Sequence, residues 1–215
     1  MEHEKSEQGQ MRYLDIDRLK NAKVEHDPYD YTIIPNVVGK ETIERVNDSF
    51  PPIPSGGSFP IESLTTDMLI KDVITDLDSR EFEEVIEEKF GVELAGRPKM
   101  YSLRGHTRAK DGQIHTDSKD KIITVLLYLN REWPQKMGRL RILRNGHDLE
   151  DYAAEVAPDN GTMLIFKRSE TSWHGHPPFA GPRRSLQMNW MVDESKRGFH
   201  VIRHKVSAAL KKMGA

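Results

Sequence analysis

Residues 113–130 read QIHTDSKDKIITVLLYLN, and the rest of the chain can be placed around them. The second half, Ile122 to Leu129, is a nearly unbroken apolar run. Such a run suits a strand buried on both faces. The first half carries His115 and Asp117, two residues apart. Along an extended chain alternate side chains share a face, so this imidazole and carboxylate would point the same way. Joined by one distant histidine, they would form a facial set of ligands for a divalent metal, with coordination positions left open. His174 is the candidate third ligand. His-x-Asp is a common pattern in a chain with nine histidines, and the plainer reading makes Asp117 a turn or capping residue.

The surroundings favour the ligand set. Thr162 to Phe166, TMLIF, is a second apolar strand, and a polar turn leads from it to Trp173-His174. Both ligand positions therefore adjoin expected core strands. Lys99–Leu103, Gly112–Asp117, Gly138–Leu143, Ala153–Val156 and Ser185–Val192 are further strand candidates, separated by turn residues. Upstream the texture is different. A short helix is expected within Tyr13–Lys23 and a strand within Tyr29–Val37. Helices are expected in KETIERVNDSF, over Met68–Leu77 and over Glu81–Phe90, where Phe82, Val85, Ile86 and Phe90 recur at helical spacing. Gly91 is a natural stop. The run PPIPSGGSFP, from Pro51, is a loop, either a connector or a lid.

Helices first and strands later predict an α+β fold: a strand-rich jelly-roll core with N-terminal helices packed on one sheet. At 215 residues one domain is expected. Residues 1–12 would be disordered, 13–96 mainly helical support, 97–194 the core, and 195–215 a basic helix whose apolar positions suit core packing or a homodimer contact. Hydrophobic residues are 36%, charged residues 31% and the net charge −2, so no nucleic-acid or membrane partner is expected. No apolar run approaches the roughly 20 residues that cross a bilayer. The polar start MEHEKSEQGQ lacks a signal-peptide core, which predicts a cytoplasmic protein. Without cysteine, disulfides, thiolate metal sites and thiol catalysis are excluded.

From about Tyr101 to Val192 the ordered set of motifs resembles the 2-oxoglutarate and iron(II)-dependent oxygenases, on the prolyl-hydroxylase-like branch. The matching pieces are Tyr101, His115-Thr116-Asp117, Thr124 to Asn130 with Trp133, Gly138 with Leu140-Arg141-Ile142, Gly161, Phe166, His174, Arg183-Arg184 and Trp190. The resemblance implies a double-stranded β-helix holding Fe(II) on His115, Asp117 and His174. It implies 2-oxoglutarate and O2 as cosubstrates, with succinate and CO2 released, a hydroxylation of the substrate, and ascorbate as an optional reductant. An arginine shortly after the second histidine would hold the far carboxylate of 2-oxoglutarate. Arg183 and Arg184 compete for that role. In the related pattern a tryptophan follows the arginine by six residues, and Trp190 follows Arg184 by six, so Arg184 is preferred and Arg183 becomes a surface or salt-bridge residue. Tyr128 and Tyr101 match positions whose hydroxyls reach the cosubstrate; plain core packing is the alternative for each.

The substrate, a small molecule or a protein side chain, is not legible. Arg104 and His106, with Arg108 and Lys110, would either face the site mouth and favour an anionic substrate or form a solvated basic loop, the plainer reading. A jelly-roll binding protein without turnover is the competing function.

Overall fold

The computed structural model describes residues 13–53 and 55–195. The disorder expected for residues 1–12, and all but the first residue of the helix expected over 195–215, lie outside the described residues. The helices are α1 (Ile16–Asn21), α2 (Lys40–Asp48), α3 (Met68–Asp78) and α4 (Arg80–Phe90). The strands are β1 (Tyr31–Ile34), β2 (Phe59–Pro60), β3 (Lys99–Thr107), β4 (Lys121–Tyr128), β5 (Leu140–Leu143), β6 (Tyr152–Val156), β7 (Met163–Lys167), β8 (His174–Gly175) and β9 (Gly181–Met191).

Local chemistry sets the helix ends. Asp67 caps α3 by accepting the Ile70 N–H at 3.0 Å, and Ser79 caps α4 by accepting from Phe82 N–H. Gly91 closes α4 in the left-handed region at φ 58°, where a side chain would be strained. The apolar positions of α4 then fall on one face, and all four of its periodic residues are buried.

All strand pairs are antiparallel. The large sheet has the order β1-β7-β4-β9-β3-β2 and the small one β6-β5-β8, an antiparallel arrangement consistent with a jelly-roll core. Strand alternation gives the large sheet two different faces. Leu103, Ile123, Val125, Leu127, Met163, Ile165, Leu186, Met188 and Trp190 share one buried cluster with residues of all four helices. Phe82 of α4 stacks on Trp190 of β9, with centroids 6.1 Å apart and planes 7° off parallel. Burying side chains of this size stabilises by about 1.5–3 kcal/mol each. The other face looks toward the small sheet. There Tyr128, Leu164 and Phe166 pack with Leu140, Ile142 and Val156, and the remaining space is a cavity of about 210 Å³.

The expected strand over Gly112–Asp117 is reduced to one bridge. His115 and His174 exchange both backbone hydrogen bonds at 3.0 Å, which adds this single residue to the edge of the small sheet beyond β8. Beside that bridge the segment makes one more backbone contact with the same edge, Gly112 O accepting the His176 N–H at 2.9 Å, and pairing goes no further because β8 is itself two residues long.

Candidate metal centre

One atom from each of His115, Asp117 and His174 falls within 4.8 Å of the others. The cross-strand pairing explains the two histidines: directly opposed residues bring their rings to a centroid separation of 4.4 Å. Each ring is oriented by a backbone carbonyl. His115 Nδ1 lies 2.8 Å from Gln113 O, and His174 Nδ1 lies 3.0 Å from Ser172 O. With Nδ1–H donating, Nε2 keeps its lone pair for a metal. Burial pushes the His174 pKa down to about 4, against the pull of Asp117, so this ring is neutral at pH 7.

Asp117 is buried. Burial alone would raise its pKa, but the Lys121 ammonium, 2.8 Å from Oδ1, together with His174 and the Thr124 hydroxyl on Oδ2, holds it well below the usual carboxylate range. Thr124 is in turn fixed by Asn189 Nδ2 at 2.7 Å, and Asn189 by Gln187 at 3.1 Å. The carboxylate is thus anchored through β4 and β9 to the wall of the cavity.

Beyond the triad, Ser102, Arg104, Leu126, Tyr128, His176 and Arg183 are among the residues that line the same cavity. Arg183 is 4% exposed, donates Nε–H to Gly138 O at 2.9 Å, and its Nη2 is buried with no hydrogen-bond partner. The Tyr128 hydroxyl is likewise buried and unpartnered, with the Arg183 guanidinium carbon 5.3 Å from its ring centroid. A buried guanidinium without an anion is costly. The guanidinium and the hydroxyl are close enough to act on each other, but neither has an acidic partner, and together they mark a seat for an anionic ligand.

This corrects the preference for Arg184. Arg184 and Trp190 do share a face of β9, but it is the helix-packed face. Arg184 reaches α2, giving Nη1–H to Asn47 Oδ1 at 2.6 Å and lying over Phe50, and it does not line the cavity. The opposite parity carries Arg183, Ser185 and Gln187 into the cavity. Tyr101 is corrected for the same reason. On β3 it lies between cavity-lining Met100 and Ser102, faces the helices, and donates its hydroxyl to Asp78 at 2.6 Å. His106 is not among the cavity residues either; its ring lies 2.9 Å from Ile53 O. Arg104 does line the cavity.

Four contributors escaped sequence reasoning: Lys121, Thr124, Asn189 and His176. Thr124 and Asn189 are polar residues interrupting apolar strands, at the parity of Tyr128 and Arg183 respectively, and that interruption was a readable signal. His176, two residues after His174, sits against Gly112, where an added Cβ would lie 2.3 Å from the ring and the backbone has φ +85°. Gly112 is therefore needed both for the turn and for the imidazole behind it.

Residues 101–192 match the family model of the 2OG-Fe(II) oxygenase superfamily. Over this segment, a little under half of the chain, the sequence is similar to that superfamily. No curated protein sequence matches the chain significantly. Similar solved structures include a prolyl-4-hydroxylase from Pseudomonas putida, 16% identical with a TM-score of 0.52 over 82% of this chain and 88% of that one. A Trichoplax adhaerens prolyl hydroxylase, solved with a hypoxia inducible factor peptide fragment, is 18% identical with a TM-score of 0.52 over 86% and 91%. HygX from Streptomyces hygroscopicus, solved with iron bound, is 11% identical with a TM-score of 0.53 over 77% and 83%. A second HygX structure has nickel and 2-oxoglutarate bound. The strand-rich core here thus shares its fold with these structures. Among the described residues no helix is long and apolar enough to cross a membrane.

Proposed function

We propose that this chain is a 2OG-Fe(II) oxygenase superfamily member and an active dioxygenase, in which R–H, O2 and 2-oxoglutarate become R–OH, succinate and CO2. The observation that carries the reading is the buried, unpartnered Arg183 Nη2 beside the Tyr128 hydroxyl, in the same cavity as the His115–Asp117–His174 cluster. The donor set of two neutral imidazoles and one carboxylate fits Fe(II), which when bound would supply the oxygen chemistry.

The chain's own residues supply orientation. His115 and His174 would offer Nε2, each ring held by its carbonyl, and Asp117 an oxygen. Arg183 would grip the far carboxylate of the keto acid, with the Tyr128 hydroxyl as a further donor. Leu126, Leu140 and Phe166 would keep water from its methylene carbons. The whole of residues 1–215 acting as one domain is part of this proposal. A binding protein without turnover is favoured by one contact, the Lys121–Asp117 ion pair, which already occupies a carboxylate oxygen.

The test is anaerobic addition of Fe(II) and 2-oxoglutarate, monitored for the visible charge-transfer band of the chelate, then admission of oxygen with an assay for succinate. A band followed by succinate is expected. Folded protein giving neither overturns the proposal, and a band without succinate for any tested substrate or for uncoupled turnover selects the binding protein.

A further inference from the structure

The cavity holds more positive charge than the proposed reaction uses. Its lining residues include three cations, Arg104, Lys121 and Arg183, and one carboxylate, Asp117. A divalent metal and a dianionic keto acid cancel each other. Lys121 is matched by Asp117 at 2.8 Å, and the keto acid's far carboxylate is already counted against the metal. Two guanidiniums remain, and the further acid that acts on Arg104 is Asp111.

Asp111 is largely committed elsewhere. It accepts from Arg108 Nη2 at 2.8 Å and from the Arg108 backbone N–H at 2.9 Å. Its contact with Arg104 Nη1 is 3.5 Å. The other partner of Arg104 is the Ser58 hydroxyl at 3.3 Å. A guanidinium carries five N–H donors, so two long contacts leave most of its capacity facing the cavity, where a quarter of the side chain stays exposed. Burial and the repulsion of Arg183 push the Arg104 pKa down to about 10, so it is charged at pH 7.

The position is built. Gly105 lies so close to Ile53 that an added Cβ would meet it at 2.7 Å, and Gly56 so close to Arg108 that one would meet it at 2.6 Å. The loop before β2 is thereby pressed onto β3, which sets Ser58 beside Arg104 at the cavity wall. The solvated-loop reading of the basic segment thus suits Arg108, which pairs with Asp111 at the surface, and fails for Arg104.

We propose that the substrate carries an anionic group, a carboxylate or a phosphoryl group, which Arg104 and Ser58 receive while the keto acid sits on Arg183. This rests on the dioxygenase reading for the identity of the second ligand. Arg104 is then a specificity residue, fixing which carbon of an anionic substrate faces the metal.

The experiment uses full-length protein loaded anaerobically with Fe(II) and saturating 2-oxoglutarate. Acetate, methyl phosphate and neutral acetamide are titrated by calorimetry into wild type, Arg104→Gln and Asp111→Asn. At least one anion should bind wild type at one equivalent, acetamide should not, and Arg104→Gln should bind that anion at least tenfold more weakly while its 2-oxoglutarate affinity changes less than threefold. The stronger of acetate and methyl phosphate identifies the group. Asp111→Asn, which removes the competing acid but keeps the shape, should tighten the anion severalfold; it decides the matter if Arg104→Gln does not fold. Equal binding of acetamide, no anion binding to wild type, or an Arg104→Gln loss of 2-oxoglutarate as large as that of Arg183→Gln overturns the proposal. Failure of the dioxygenase reading shows separately, as absence of the keto-acid band before any anion is added.

Discussion

Replacing Arg183 by Gln should cripple 2-oxoglutarate binding, and replacing Arg184 should not. Arg183 Nη2 is buried and unpartnered beside the Tyr128 hydroxyl, so a carboxylate there gains charge-assisted hydrogen bonds in a dry site. Hydrogen bonds to charged groups contribute about 1.5–3 kcal/mol, and truncating one partner of a buried charge pair costs about 2–5 kcal/mol. At about 1.4 kcal/mol per tenfold, the dissociation constant should rise by about 30-fold to several thousandfold. Arg184 lies on the opposite face, bonded to Asn47 of α2. Arg184→Ala should leave the dissociation constant within about threefold and lower stability by about 1.5 kcal/mol, the lower end for hydrogen bonds involving a charged group, since this guanidinium is only partly buried. The assay is anaerobic titration of 2-oxoglutarate into Fe(II)-loaded protein followed by the visible band, with urea midpoints as the fold control. A larger binding loss in Arg184→Ala than in Arg183→Gln would refute the assignment of faces on β9.

Three further outcomes follow from the same geometry. Chelator-treated protein should lose stability as pH falls from 7 to 5: His174 and His176 both titrate near 4 in the fold against 6.5 unfolded, so the unfolded chain takes up the protons, at about 2 kcal/mol per ring. Urea midpoints that do not fall over this range would show that the rings are not buried as described. Thr124→Val removes the hydroxyl that links Asp117 to Asn189 and should weaken metal binding about 10- to 100-fold with the fold intact, read by competition with a chelator; unchanged affinity would mean that Lys121 alone positions the carboxylate. Phe82→Ala deletes the ring stacked on Trp190 and should cost about 3–5 kcal/mol in denaturant unfolding, whereas a cost near 1 kcal/mol would show that α4 is not tightly seated on β9.

Much of the chain was legible because its signals are local. Periodicity located α4, and the apolar runs located β4 and β7, since burial requires those patterns wherever the elements end up packing. The order of motifs pointed to a His115, Asp117 and His174 cluster, and parity alone put Arg184 and Trp190 on one face. What parity does not carry is which face. That depends on where the helices lie: α4 covers the Trp190 side, and so Arg183, Tyr128 and Arg104 inherit the cavity while Tyr101 and Arg184 turn to the helical layer. Cross-strand facts were equally invisible. The bridge that brings His115 beside His174 joins residues far apart in sequence, and Ser58 meets Arg104 only because Gly56 and Gly105 allow the loop before β2 to press against β3. Local pattern therefore determined the elements and the ligand types, and packing decided which charges meet, because the sign of a strand's faces is a property of the sheet's neighbours and not of the strand.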